Sequence, residues 1–67
     1  MSMSKMIDYK YIYIGIPTIN GEIDGEPKLY FSNILEDNFL DLLYFLNLQE
    51  SIIYVINTKA LYIKELK

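Results

Sequence analysis

The sequence predicts an α+β fold of order ββαββ, a four-stranded antiparallel sheet with one helix on one face. Three observations lead there. Apolar and aromatic residues alternate from Ile7 to Ile16 with the period of a strand. From Phe39 to Leu48 the chain holds five leucines and two phenylalanines with no β-branched residue, as a helix prefers. After Ser51 the β-branched, alternating pattern returns.

The first strand sets Ile7, Tyr9, Tyr11 and Tyr13 on one side and Lys10, Ile12, Ile14 and Ile16 on the other. Pro17 removes a ladder donor, so regular pairing is expected to weaken there unless its nitrogen faces outward. Turn residues then crowd together from Asn20 to Pro27, and either Asn20-Gly21 or Asp24-Gly25 can form the tip of a hairpin. Lys28 to Phe31 returns as a second strand. In the helix, Phe39, Leu42, Leu43 and Leu46 recur at helical spacing, and Leu40 and Phe45 widen the stripe. Ser32, Asp37 or Asn38 can cap it, and Glu36, Asp37 and Asp41 suit the positive end of its dipole. A third strand, Ser51 to Ile56, places Ile53 and Val55 against Ile52, Tyr54 and Ile56. Asn57-Thr58-Lys59 turns the chain into a fourth, Ala60 to Leu66.

With one helix available, one sheet face stays open. The expected split has Ile12, Ile14 and Ile16 facing Leu42, Leu43 and Leu46 of the helix, with Tyr9, Tyr11 and Tyr13 facing away. The alternative architecture is a small barrel, because the strand, turn and strand from Ile53 to Ile63 loosely resemble the end of Sm-like and SH3-like barrels.

Sixty-seven residues suffice for one domain, 1–67, and a chain this short buries only about 60% of the surface its unfolded form exposes. There is no cysteine and no histidine, which removes disulfides, thiolate ligands and the commonest transition-metal ligand. The remaining aids to a small core are dense apolar packing, for which the hydrophobic fraction of 52% is suited, and association with another copy. Asp41 interrupts the most apolar segment, so no membrane span is expected. Neither a secretory signal nor a glycosylation sequon is evident, and a cytoplasmic location is the expectation.

The net charge is −3 and all six basic residues are lysine. Without arginine or a basic surplus, a reader of nucleic acid is disfavoured, and a partner protein with a basic surface is the better electrostatic match. Isoleucine (11), asparagine (5), lysine (6) and tyrosine (7) are abundant, as AT-rich coding DNA would give, so part of the tyrosine excess has a mutational origin.

Catalytic constellations are missing. Asn20, Glu22, Asp24 and Gly25 match the opening of a calcium-binding EF-hand loop, but Phe31 stands where the bidentate glutamate belongs and the preceding segment reads as a strand. Triads fail for want of histidine and cysteine, and Gly15, Gly21 and Gly25 lack the spacing of a phosphate loop. No enzyme activity, metal or cofactor is expected. Two features point to binding. Tyr9, Tyr11 and Tyr13, joined by Tyr54 and Tyr62, offer an amphipathic interface, and Glu22, Asp24 and Glu26 form an acidic loop for a basic partner or simply for solvation. Lys10, Tyr11, Tyr62 and Lys64 are of the types that stack and hold single-stranded nucleic acid, the second functional reading.

At the level of class, a short, acidic, arginine-free, tyrosine-rich chain resembles small phage-encoded inhibitors of host defence or DNA-handling enzymes. The resemblance rests on size, charge and composition and carries no residue assignments. The resemblance implies an inhibitor; with the missing catalytic residues and the sheet face that one helix leaves open, the expectation is a non-catalytic protein-binding module, a homodimeric inhibitor or regulator that occupies the surface of an unidentified partner protein.

Overall fold

The computed structural model describes residues 8–66. Its elements are β1 (Tyr11–Ile19), β2 (Glu22–Ile23), β3 (Lys28–Ser32), α1 (Phe39–Leu46), β4 (Ser51–Asn57) and β5 (Tyr62–Leu66). All pairings are antiparallel. β1 lies between β4 and the returning β2 and β3, and β5 pairs with the far side of β4. The sheet curls into half a barrel, and among the described residues α1 is the one helix of more than a turn, so the α+β class holds with a bend towards the barrel alternative. Ile7, placed at the start of the first strand, lies outside the described residues. None of the helices described is long and apolar enough to cross a membrane.

Backbone conformation decides where the hairpin turns. Asn20 and Gly21 have φ of 53° and 85°, and Ile19 pairs with Glu22. Positive φ at both central residues is the mirror-image turn whose twist matches a hairpin. Asp24 and Gly25 instead form the bulge that separates β2 from β3, where the Asp24 N–H donates to the Pro17 carbonyl at 2.8 Å. In an antiparallel strand a residue's N and C=O point to the same side, so Pro17 turns its donorless nitrogen towards this bulge. β1 therefore runs through Pro17 to Ile19, because the missing donor falls where the ladder is already open.

α1 begins at Asn38, whose side-chain oxygen accepts from the N–H groups of Leu40 and Asp41 at 3.0 and 3.2 Å. It ends two residues before Leu48 because Asn47 turns left-handed at φ 59°. The N–H of Leu48 then donates to the Leu43 carbonyl at 2.9 Å, and that of Asn47 to Tyr44 at 3.1 Å. This pair of bonds is the Schellman closure, with asparagine in the place glycine usually takes.

The core reverses the expected faces of β1. Tyr11, Tyr13, Leu42, Leu46, Ile53 and Val55 form the buried cluster, with Phe39, Leu43, Leu48 and Tyr30 packed against it. The helix therefore covers the tyrosine side of β1, and Ile12, Ile14 and Ile16 face away from it. Gly15 supplies the physical reason. It shares a face with Tyr11 and Tyr13, and a Cβ there would lie 2.7 Å from Leu46 Cδ1 and 3.0 Å from Leu48 Cδ1. Only the strand face with a bare position lets the end of α1 approach so closely. The helix stripe of Phe39, Leu42, Leu43 and Leu46 is as expected, but Leu40 stays 73% exposed.

Candidate interaction surfaces

The five tyrosines expected to share one surface are divided between the two sides of the sheet. Tyr13 is fully buried and Tyr11 nearly so. The Tyr13 hydroxyl accepts from the Glu36 N–H at 2.6 Å and donates to the Ile34 carbonyl at 3.4 Å, tying the β3–α1 connection to the core. Burial raises its pKa against the lowering effect of the Glu36 bond, so it serves as a neutral anchor. Tyr62 lies on the same side, in the row of Tyr11 and Asn57, and is half exposed. Tyr54 lies on the opposite side. Tyr9 precedes β1 and stacks on Phe31, with centroids 5.6 Å apart, which also turns it to the opposite side. Strand alternation from Tyr9 fails because β1 starts only at Tyr11.

That opposite side is the open face. One cross-strand row runs Phe31, Ile12, Ile56 and Ile63, the next Leu29, Ile14, Tyr54 and Glu65, and a third joins Ile16 to Ile52. Glu65, on the outermost strand, is the one charged side chain in these rows. The helix side of the same strands carries Lys28, Ser32, Gly15, Ser51, Asn57 and Lys64. The more apolar face of the sheet is thus the one that α1 does not cover. Leu29 and Ile63 are 55% and 59% exposed at its flanks and Ile14, Ile16, Ile52 and Ile56 are partly exposed across its centre, while Ile12 is buried.

Glu22, Asp24 and Glu26 are exposed at the hairpin and bulge, where they can meet a partner. A fourth carboxylate, Glu50, was not singled out by the sequence. Its two oxygens accept from the N–H groups of Asn20 and Gly21 at 3.0 and 2.8 Å, and its own carbonyl accepts from Thr18 at 3.0 Å. These bonds hold the hairpin against the α1–β4 loop. The Gly21 N–H first, then the Thr18 side chain and the Asn20 N–H, lower the Glu50 pKa. No local pattern links a glutamate to a turn thirty positions earlier.

Of the two rings expected to stack on bases, Tyr11 is closed while Tyr62 is half exposed. Lys10 lies 5.5 Å from the Tyr11 centroid, but Tyr11 keeps only 9% of its surface exposed and cannot offer a platform to a base. The surface also presents exposed apolar side chains, among them Leu29, Leu40, Tyr44 and Ile63. Comparison with protein-family models, with curated proteins and with solved structures found no match to this chain.

Proposed function

We propose that this chain is a non-catalytic protein-binding module that pairs with a second copy through the open face of its sheet and acts as an inhibitor or regulator of a partner protein. The observation that carries the reading is an apolar face that α1 does not cover and that no other described element packs against, set against a helix side that is richer in polar groups. Soluble proteins seldom leave such contiguous surfaces bare, and each part-exposed isoleucine or leucine gains about 25 cal/mol per Å² when covered. Two copies can stack their open faces as an aligned sandwich. A twofold axis through the isoleucine rows would match like with like and leave Glu65, on the outer strand, near water. The acidic, arginine-free composition supports a protein partner over nucleic acid.

The test is a dilution series followed by NMR of isoleucine methyl groups. Ile14, Ile52, Ile56 and Ile63 should shift with concentration, while Ile53, buried under α1, stays still. Methyl shifts that do not move on dilution from millimolar to micromolar concentration would remove self-pairing.

A further inference from the structure

α1 lies on the side of the sheet away from the open face, and its own outer surface is also apolar. Leu40 and Tyr44, one helical turn apart, are 73% and 81% exposed, where a surface helix normally carries polar groups. Phe45 meets Tyr44 edge-on at 6.0 Å and stacks on Tyr30 of β3 at 5.1 Å, so the ridge is braced by the sheet. Beside Tyr44, Leu43, Asn47, Leu48 and Gln49 line a shallow groove. The charges in the first turn of α1 and just before it are acidic, whereas Lys28, opposite Gly15 on β3, lies on the same side of the sheet towards the end of α1. Asp37 and Asp41 are exposed, Asp41 stands three and four residues before Tyr44 and Phe45, and no lysine occurs between Lys28 and Lys59.

We propose that this ridge docks a basic amphipathic helix of the partner protein. The inference rests on the reading of the chain as a protein-binding module, but it uses a surface separate from the self-pairing face. A helix with an apolar stripe flanked by lysine or arginine can lay the stripe along Leu40, Tyr44 and the adjoining groove. Its cations then meet Asp37 and Asp41, which speeds encounter and selects against acidic competitors. Tyrosine and phenylalanine already braced by neighbours lose little side-chain freedom on binding. The same carboxylates repel an anionic lipid surface or a phosphate backbone, which leaves a protein segment as the occupant that fits.

The probe is a fluorescent synthetic leucine–lysine amphipathic peptide, with a leucine–glutamate peptide as its control, titrated with the full chain at low and high salt. The lysine peptide should bind and the glutamate peptide should not. Leu40→Ser with Tyr44→Ser, at positions the fold leaves exposed, should weaken binding about tenfold or more while leaving the circular dichroism unchanged. Asp37→Asn with Asp41→Asn should weaken it and flatten its salt dependence. Equal binding by the folded Leu40→Ser/Tyr44→Ser protein, or no binding of the lysine peptide to the unaltered chain, would overturn the ridge. The doubly substituted Leu29→Thr/Ile63→Thr protein should bind the peptide as the unaltered chain does. A chain that is monomeric yet binds the peptide at the ridge would overturn self-pairing alone. A dimer that fails to bind it would overturn the ridge alone.

Discussion

At Gly15 one missing side chain decides which way the sheet faces. The position lies in a central strand, where glycine usually weakens pairing, yet Leu46, Leu48 and the Ser51 hydroxyl all converge on it, the last at 3.2 Å from where a Cβ would stand. Adding a methyl group forces Leu46 and Leu48 outward, because the nearest atom would be closer than van der Waals contact allows. Gly15→Ala should therefore destabilise the fold by about 1–3 kcal/mol, read as a lower midpoint in urea unfolding. An unchanged midpoint would show that the end of α1 can slide away without loss. The sequence contains this clue, since Gly15 is in phase with Tyr11 and Tyr13. Alternation alone could not use it, because both sides of β1 are apolar and period two does not say which is covered.

Among the elements, α1 was the most legible. Its start and the stripe of Phe39, Leu42, Leu43 and Leu46 follow from leucine spacing, but its end depends on Asn47 turning left-handed, which a polar residue between leucines does not announce. The hairpin was legible to two choices, and the backbone selects Asn20-Gly21. Its clamp by Glu50 was not legible, since that contact is set by how the elements pack. It has a definite pH signature. The carboxylate's pKa is held below the 4.5 of a free glutamate, so its stabilising effect is present above that value and is lost as pH falls through the lower, folded-state value. Glu50→Gln should lower the thermal midpoint at neutral pH, with the gap to the unaltered chain narrowing under acid conditions below about pH 4.5. A gap that stays constant from neutral to acid pH would mean that charge on Glu50 contributes nothing to the clamp.

At the scale of the molecule, a curled sheet carries α1, the one helix of more than a turn among the described residues, within extents of 34 × 24 × 19 Å. The helix cannot cover both sides, and it covers the one with the glycine. That α1 leaves one apolar face of the sheet uncovered follows from counting one helix against two apolar faces, and that part was legible in the sequence. Which residues line that face was not, because Tyr11 and Tyr13 belong to the core and Ile14, Ile16, Ile52 and Ile56 lie on the face that α1 leaves. The exposed ridge was hidden for a related reason: Leu40 extends the same leucine pattern as Leu42 and Leu43, and only the packing of α1 separates the outward residue from the inward ones. The central claim is that the isoleucine face is covered by a second copy. Sedimentation equilibrium of the unaltered chain beside Leu29→Thr/Ile63→Thr tests it most directly, since both substituted residues are more than half exposed in the single chain and should affect its own stability little. The account predicts a reversible monomer–dimer equilibrium between micromolar and millimolar concentration for the unaltered chain and a folded monomer for the substituted one. A unaltered chain that remains monomeric throughout, or a substituted chain that dimerises equally well, would contradict it.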